Sequence, residues 1–503
     1  MAAIQGAYVF NLVARSGLCM FPHDQGESGV RVMWTAVSRG LPALRASGRA
    51  LVISLALALL GVAAARASEP GDYSKLPARS SPAWVRQGII YEIFPRQFST
   101  TGDFAGITAQ LDRLRQLGVN ILWLMPIHPV GKLKAKGTFG SPYAVRDYYG
   151  INPEYGTAAD LHRLIGEAHR RELKVIIDIV ADHTAWDSVL MKTPDFYKHD
   201  AAGHIIPPNP DWTDVAALNY DNPQLRRYMI DVLKHWVRQF DLDGFRCDAA
   251  GMVPTDFWEQ ARTELDALKP GLFMLAEWDQ PALMARAFDV DYAWKGYAAL
   301  ADAITGRTPA SVVREQWQRD NAGYERGALR MRFSDNHDET RAIARFGEPA
   351  ALAASALVFT LDGVPLLYNG MEVGDATESG APALFEKLPI NWNSAERHPQ
   401  FPRAYRQLTA LRHAHPAFTD GELLWLHNSE EARVLSFIRR DADEALLVTV
   451  NLSSQPFVGV IEAGDSTYSD VTPAPDAAKP ARVTALPALA LAAWEYRVFR
   501  KQR

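Results

Sequence analysis

The stretch that decides the fold is LRRYMIDVLKHWVRQFDLDGFRCD, residues 225–248. Up to residue 240, apolar side chains recur at the spacing of one helix face, which predicts an amphipathic helix. The segment DGFRCD that follows has the length of a buried strand and ends at the acid Asp248. Along a strand, Arg246 and Asp248 share one face and Cys247 points the opposite way. The stretch therefore predicts a helix followed by a strand that carries an acid to the edge of a sheet.

The same alternation of strand and helix patterns continues on both sides of this unit. The predicted strands lie at 89–95, 120–126, 174–180, 243–248, 272–277, 288–294, 328–335 and 364–370. Helical patterns separate them, such as 111–118, which ends at Gly118. Strands that alternate with helices form parallel βαβ units, and eight such units predict an α/β fold of the (β/α)8 TIM-barrel type. A doubly wound sheet is disfavoured because no Gly-rich phosphate turn follows the first strand.

Three acids stand at or just past the ends of predicted strands: Asp248, Glu277 and Asp338. An idle carboxylate is costly to bury, so acids at these places indicate a polar site at one rim of the barrel. Pairs of carboxylates that flank a scissile bond are the chemistry of glycoside cleavage. The arrangement predicts a hydrolase that processes sugars.

Two regions depart from the alternation. Residues 184–222, after the third strand, are irregular and rich in Pro, Asp, Asn and Trp. A long irregular stretch in a compact domain is usually functional, and we predict an excursion domain that overhangs the rim. From residue 418 to 503, short alternating segments predict a C-terminal antiparallel β-sandwich with one face packed and one exposed. The catalytic barrel is then expected over 68–417.

The N-terminal residues have the pattern of a leader. A segment with three arginines, 39–49, precedes the apolar run 50–65, and a small-residue site follows. This order is typical of a secretory signal peptide, here cleaved after Ala67. The apolar run is shorter than the about 20 residues of a membrane span, so we expect no stable membrane anchor. The prediction is a secreted or periplasmic protein that lacks residues 1–67.

The composition excludes nucleic-acid binding. Of the 503 residues, 48% are hydrophobic and 22% charged, which is ordinary for a soluble globular enzyme, and the formal net charge is −5. The sequence has no clustered basic stripe, the usual footprint of a nucleic-acid partner. We expect a monomer that acts on an uncharged substrate.

Five motifs follow one another on the predicted strand ends. They read DIVADH (178–183), GFRCD (244–248), AE (276–277), FSDNHD (333–338) and GVPLLYNGMEVG (363–374). In this order they resemble the α-amylase family, glycoside hydrolase family 13. The likeness covers nearly all of residues 85–415, including SPYAVRDYYGINPEYGT. Each motif alone is weakly specific, whereas five in the right order make coincidence very improbable.

The resemblance implies catalytic roles for the strand-end acids. Asp248 matches the nucleophile of a retaining mechanism, Glu277 the general acid/base, and Asp338 the third carboxylate, which binds and distorts the sugar. Arg246 matches the guanidinium that keeps the nucleophile ionised. Asp178, at the start of the third-strand motif, is predicted to be structural.

The resemblance also implies residues that bind the substrate. His183 and His337 match side chains that donate to sugar hydroxyls, and Tyr143 matches an aromatic platform beneath the ring. Asp182 stands where many relatives carry an Asn that binds calcium. Because hard cations prefer oxygen ligands, Asp182 is a candidate calcium ligand, and no organic cofactor is expected.

The implied activity is retaining hydrolysis of α-1,4-glucosidic bonds in starch or maltooligosaccharides. The motifs do not separate this from an α-glucosidase or cyclomaltodextrinase, nor from a glucan transglycosylase or trehalose synthase, because the same carboxylates serve each reaction. A non-catalytic amylase-like binding protein is disfavoured, since such proteins typically lose the carboxylates. Gly140 stands where exo-acting α-glucosidase relatives carry an Asp, three residues before Tyr143, and this favours endo action.

Overall fold

A closed barrel of eight parallel strands forms the centre of this computed structural model, which describes residues 72–464, 466–473 and 483–502. The strands are β1 Ile90–Ile93, β2 Ile121–Leu124, β3 Lys174–Val180, β4 Gly244–Asp248, β5 Phe273–Ala276, β6 Val290–Tyr292, β7 Leu329–Arg332 and β8 Val364–Tyr368. β1 pairs with both β2 and β8, which closes the barrel. The predicted (β/α)8 fold is confirmed, and each strand lies within its predicted range.

Helices follow the strands and form the outer layer. The longer ones are α1 Leu111–Leu117, α2 Ala158–Arg170, α3 Pro223–Phe240, α4 Thr255–Leu268, α5 Trp294–Ile304, α6 Ser311–Gly323, α7 Glu348–Thr360 and α8 Gln400–Ala414. Shorter helices are Ala83–Arg86, Pro95–Phe98, Phe104–Thr108, Pro281–Met284, Ala342–Phe346, Ala381–Leu384 and Ser394–Arg397. α1 ends at Gly118, whose φ of 91° is the left-handed conformation of a helix C-cap. In the part of the chain that the structure describes, no helix is long and apolar enough to cross a membrane.

Apolar side chains from the strands fill the barrel interior below the rim. This cluster includes Ile90, Ile121, Trp123, Ile176, Phe273, Leu275, Val290, Tyr292, Met331, Val364 and Leu366. On β4 the inward positions are Gly244 and Arg246, because Phe245 and Cys247 belong to the layer between the strands and the helices. A Cβ at Gly244 would lie 2.0 Å from the carbonyl oxygen of Phe273. The glycine therefore allows β4 and β5 to approach closely directly below the acids.

The chain between β3 and α3 leaves the barrel. Strand His183–Ala185 pairs with strand Val215–Ala217 in antiparallel fashion, with His183 opposite Ala217. The 3-10 turns Val189–Lys192 and Pro194–Phe196 lie between them. His183 thus stands at the point where the chain leaves the barrel rim.

The C-terminal part of the chain is an antiparallel β structure. Its strands are β9 Glu422–Leu426, β10 Val434–Arg440, β11 Ala445–Asn451, β12 Phe457–Val460, β13 Thr467–Asp470, β14 Val483–Ala485, β15 Ala488–Leu491 and β16 Tyr496–Lys501. The six-stranded sheet has the order β9-β10-β11-β16-β13-β14, and β12 pairs with β15. The antiparallel architecture is as predicted.

The expectation of one exposed face is wrong for the middle of this sheet. On one face, Leu447 and Phe499 pack with Phe457 from the two-stranded sheet. On the other, Leu446 and Val448 belong to the same core as the barrel helices. Both faces are covered because the barrel helices and the two-stranded sheet of β12 and β15 lie on opposite sides.

The leader predicted for residues 1–67, with cleavage after Ala67, lies outside the described residues. It stays a prediction. Cys247 is buried in the layer outside the strands, which the alternation of side chains along β4 predicts.

Candidate active site

Arg246 is the centre of the polar rim. Its Nη1 lies 2.7 Å from Oδ1 of Asp248 and 2.9 Å from Oδ1 of Asp178, and its Nη2 lies 3.0 Å from Oε2 of Glu277. The parallel register places Asp178 of β3 beside Arg246 of β4. The guanidinium is fully buried, and its Nε donates to the Tyr292 hydroxyl at 3.2 Å. One cation therefore holds three carboxylates together.

The three predicted catalytic carboxylates open onto the rim to different degrees. The side chains of Asp248, Glu277 and Asp338 are 11%, 14% and 25% exposed, whereas that of Asp178 is fully buried. Asp178 is enclosed by Arg246 and accepts from the Tyr143 hydroxyl at 3.2 Å. The structure thus separates three partly accessible acids from one fully buried acid, and the roles predicted for them stay predictions.

The contacts of Glu277 distinguish its two oxygens. The backbone N–H of Ala249 donates to Oε2 at 2.8 Å, and Arg246 approaches the same oxygen. Both contacts favour negative charge on Oε2, so Oε1 is the oxygen suited to carry a proton. Burial raises the pKa of Glu277 to about 8, with Asp248 and Asp338 adding to the effect and Arg246 opposing it. Glu277 is an acid that keeps its proton near neutral pH.

Asp248 loses its proton before Glu277 does. Burial raises its pKa to about 6, and Arg246 opposes the shift at close range. Between about pH 6 and 8 the pair therefore holds one proton, on Glu277, and one charge, on Asp248. This is the division of labour between a general acid and a nucleophile.

Ala249 adopts a strained conformation directly after Asp248. Its φ of 43° lies in the left-handed region, which costs a non-glycine residue about 1 kcal/mol or more. The turn directs its N–H at Oε2 of Glu277 and so links the residue after Asp248 to Glu277. Nothing in the local sequence indicates this contact.

His337, Tyr143 and Glu92 form a chain of hydrogen bonds across the barrel mouth. His337 Nδ1 lies 2.5 Å from Oε1 of Glu92, and Nε2 lies 2.8 Å from the Tyr143 hydroxyl and 3.3 Å from Oδ2 of Asp338. The Tyr143 and His337 rings stack with centroids 5.5 Å apart. Burial alone would lower the pKa of His337, but Asp338 and Glu92 outweigh it and raise the pKa to about 9. His337 is thus a cation with a donor at Nε2.

His183 has a comparable arrangement, with one ring nitrogen next to a carboxylate. Its Nδ1 lies 3.0 Å from Oδ2 of Asp182, which leaves Nε2 for a further partner. Burial works against the charged ring, but Asp182 and then Asp248 raise the pKa of His183 to about 9. The structure therefore brings all the predicted site residues to one rim: Asp248, Glu277, Asp338, Arg246, His183, His337, Tyr143 and Asp182.

Comparison with known proteins identifies the family. The family described as alpha amylase, catalytic domain, matches residues 92–202 and 209–433. The chain belongs to the α-amylase family. It is a glycoside hydrolase, and the matched residues include every site residue described above.

Relatives of this α-amylase-family chain resemble it over most of its length. An α-amylase, MalA, from Haloarcula japonica is 31% identical over 408 residues, which cover 76% of this chain and 58% of that protein. The crystal structure of a noncanonic maltogenic α-amylase, AmyB, from Thermotoga neapolitana is 31% identical with a TM-score of 0.76 and covers 83% of this chain and 99% of that one. An α-amylase from Lactobacillus plantarum is 32% identical with a TM-score of 0.75, covering 83% and 100%.

The donors around Asp182 do not form a calcium shell. Among the described residues, one group of three ligand-type side chains converges: Asp182, His183 and Asp248, with donor atoms within 4.8 Å of one another. Calcium takes six to eight oxygen ligands, whereas this group offers one imidazole and two carboxylates, one of which is already paired with Arg246. Oδ1 of Asp182 is buried without a hydrogen-bond partner, but its other oxygen is engaged by His183. Calcium binding by Asp182 stays a prediction with little support from this geometry.

Sequence reasoning missed Glu92 in this member of the family. Glu92 is fully buried on β1, and its Oε2 has no hydrogen-bond partner. The signal was present, because Glu92 is an acid inside the apolar strand IIYEIFP, and the argument used for Asp248 applies to it equally. Tyr292, which accepts from Arg246, gives no such signal, because an aromatic residue in a strand is usually part of the core.

Proposed function

We propose that this protein hydrolyses α-1,4-glucosidic bonds in starch or maltooligosaccharides with retention of the anomeric configuration. The observation that carries the proposal is the contact of one guanidinium, Arg246, with both Asp248 and Glu277. The shared contact keeps the two carboxyl groups close together, as a double displacement requires. The lower pKa of Asp248 suits it to be the nucleophile, and the higher pKa of Glu277 suits it to be the general acid.

In the first step, Glu277 donates its Oε1 proton to the glycosidic oxygen while the Asp248 carboxylate attacks C1. The C1–O bond breaks, and a glycosyl ester forms on Asp248. Arg246 holds Asp248 ionised and limits the orientations of its attacking oxygen. In the second step, Glu277, now a carboxylate, takes a proton from water, which attacks C1 and releases Asp248.

The residues around the acids bind the sugar in the transition state. Nδ1 of His183 is fixed by Asp182, so its Nε2 is the donor left for a sugar hydroxyl. Nδ1 of His337 is fixed by Glu92, and its Nε2 is shared between the Tyr143 hydroxyl and an incoming sugar hydroxyl. Asp338, the most exposed of the three acids, accepts hydrogen bonds from hydroxyls on the same ring. Such bonds stabilise the transition state when they strengthen as the ring flattens.

Other activities of the family use the same carboxylates. Relatives named cyclomaltodextrinase, from a Bacillus species, and neopullulanase 2, from Thermoactinomyces vulgaris, are 25% and 26% identical to this chain. An α-glucosidase, a cyclomaltodextrinase and a transglycosylase or trehalose synthase are therefore the alternatives. They differ in which substrate and which acceptor enter the site. A non-catalytic binding protein is disfavoured by the intact set of acids.

Product analysis tests the proposal. The purified protein would be incubated with soluble starch, maltoheptaose and maltose, beside a Glu277→Gln control. Short maltooligosaccharides that appear first as α-anomers in proton NMR, and are absent with the control, support it. Rearranged or longer products would favour the transferase alternative, and no turnover of any α-glucan would overturn the assignment.

We further propose that the protein is an exported monomer cleaved after Ala67. The support is the order of the arginine-rich segment, apolar run and small-residue site in residues 39–67. One relative is named an intracellular maltogenic amylase, so the alternative is a protein that stays inside the cell. N-terminal sequencing of the protein recovered from the culture medium or periplasm would show Ser68 first, and an uncut chain inside the cell would overturn the proposal. Light scattering would measure the oligomeric state.

A further inference from the structure

A loop between β2 and Tyr143 projects from the rim. We call residues 131–140, GKLKAKGTFG, the rim loop. Its base is closed by an antiparallel bridge between Val130 and Val145 and by the Gly131 N–H, which donates to the Ala144 carbonyl at 2.9 Å. Most of the loop is exposed, including Leu133 and Phe139. The rim loop therefore exposes two apolar side chains and is held in place by contacts on both of its sides.

One side of the rim loop is fixed to the excursion after β3. The Lys136 ammonium lies 2.9 Å from Oδ1 of Asp214. The backbone N–H of Lys132 donates to Oδ2 of Asp187 at 3.0 Å, and the Lys134 ammonium lies 3.5 Å from the centre of the Trp186 ring. Two charge-assisted contacts and a cation–π contact hold this side.

The other side of the rim loop is fixed to the segment after β8. The Thr138 N–H donates to Oε1 of Glu386 at 2.9 Å, and the Phe139 N–H donates to the Phe385 carbonyl at 3.0 Å. Below them, Nη1 of the buried Arg96 donates to the carbonyls of Gly140 at 3.1 Å and Leu384 at 3.0 Å. The rim loop is therefore a bridge that joins the chain after β3 to the chain after β8.

The position of this bridge relative to the reacting sugar follows from barrel geometry. C1 of the reacting ring must face Asp248 and Glu277, at the ends of β4 and β5. In a pyranose, C4 lies across the ring from C1, and in an eight-stranded barrel β8 and β1 lie across from β4 and β5. C4, to which a longer glycone would be attached, therefore points to the side where the rim loop meets residues 384–386.

We propose that the rim loop and residues 384–386 close the glycone end of the active site, so that the enzyme takes an α-glucan by its non-reducing end and releases short products. Lys136 and Glu386 are then specificity-determining residues, because their side chains hold the closure in place through Asp214 and the Thr138 backbone N–H. The inference rests on the proposed function and deepens it by naming where along the chain the bond is cut.

Gly140 does not contradict this proposal. The glycine has a φ of 72°, and a Cβ there would lie 2.9 Å from Cγ1 of Val130. An Asp at this place would strain the turn that brings the rim loop to Leu384. The conformation of the loop thus favours a glycine here for its own reason, so the glycine does not by itself separate endo from exo action, and endo action stays a prediction.

A substrate with a capped end tests the closure. The full-length enzyme would be given 4-nitrophenyl α-maltoheptaoside in two forms, one open and one with a 4,6-ethylidene group on its non-reducing glucose, with products separated by chromatography. We expect the open form to be cleaved at least about tenfold faster, a factor that corresponds to 1.4 kcal/mol. Cleavage of both forms at the same rate would overturn the closure and leave the hydrolase assignment intact. No cleavage of either form would overturn the proposed function as well.

A variant with the bridge removed provides the second arm. In Lys136→Ala/Glu386→Ala the ratio of open to capped rates should fall to within about threefold, because the closure loses a side-chain contact on each side. The matched control, Lys198→Ala/Glu396→Ala, changes the same residue types at exposed positions and should keep the parental ratio. Circular dichroism checks that each variant folds. If the bridge variant misfolds, maltoheptaose labelled at its reducing end tests the closure with the wild-type enzyme alone. The first labelled products should then be only slightly shorter than the substrate. Labelled first products of all lengths would overturn the closure.

Discussion

Glu92 and His337 are joined by a 2.5 Å hydrogen bond between Oε1 and Nδ1, although 245 residues separate them in the sequence. Both residues are buried at the barrel mouth. His337 also faces Asp338, Asp178 and the Tyr143 hydroxyl, with Arg246 as the opposing cation. Within this set, Glu92 is the carboxylate that contacts the ring nitrogen on the side away from Asp338, so it fixes which nitrogen faces the substrate.

We predict that Glu92→Gln lowers kcat/KM by about 10- to 100-fold, the value of a hydrogen bond to a charged group. Removing the Glu92 charge takes away one of the interactions that raise the pKa of His337, so this pKa should fall towards its usual range. Proton NMR of the histidine ring measures it directly. Glu462→Gln, at an exposed position in the C-terminal sheet region, is the control. An unchanged His337 pKa with full activity would show that Glu92 only fills space.

The two catalytic acids should respond differently to the leaving group. Glu277→Gln should lower kcat on maltooligosaccharides by about 100- to 10,000-fold, as expected for loss of a general acid. With α-maltosyl fluoride, whose leaving group needs no proton, the first step should recover and a glycosyl-enzyme should accumulate. Asp248→Asn should be inactive on both substrates, because it lacks the nucleophile. Mass spectrometry of the intact protein detects the intermediate, and its appearance on Asp248→Asn would contradict the assignment.

The pH profile of kcat/KM should be bell-shaped. Activity should fall below about pH 6, where Asp248 becomes protonated, and above about pH 8, where Glu277 loses its proton. Asp338 raises the pKa of Glu277, so Asp338→Asn should move the basic limb to lower pH, in addition to lowering activity by about 100-fold or more. Asp195→Asn, an exposed change, should leave the profile as it is. A basic limb that does not move in Asp338→Asn would show that Glu277 does not set it.

Stability should decrease as pH rises from about 6 to 9. Glu277, His183 and His337 have folded-state pKa values raised to about 8, 9 and 9, by the causes given above. The pKa of Asp248 is raised to about 6, so its contribution is lost below this window. The folded protein therefore binds more protons than the unfolded chain in this window, and stability is lost as these groups deprotonate. Each group contributes up to about 1.4 kcal/mol per pH unit. Urea unfolding at pH 6, 7.5 and 9 measures the trend, and a midpoint that rises with pH would contradict it.

The sequence predicts the barrel well because its signals are local. Each strand is a short apolar run followed by a helical pattern, as in residues 225–248, and neither depends on distant contacts. The acids Asp248 and Glu277 end their strands, so the rim position follows once the parallel barrel is recognised. The C-terminal sheet is predicted by the same reasoning, but not the burial of its second face, because the partner of that face, the outer layer of the barrel, is remote in sequence.

By itself, the sequence determined the order of strands, the family and the acids of the site, because short apolar runs and motifs of a few residues indicate them. Only the tertiary structure decided how those residues act together. Three sets of contacts join segments that are distant along the chain: those of Arg246 with Asp178 and Glu277, that of Glu92 with His337, and those of the rim loop with residues 384–386. Proton affinities and the closure of the site depend on such contacts, because burial and neighbouring charge are properties of the folded molecule.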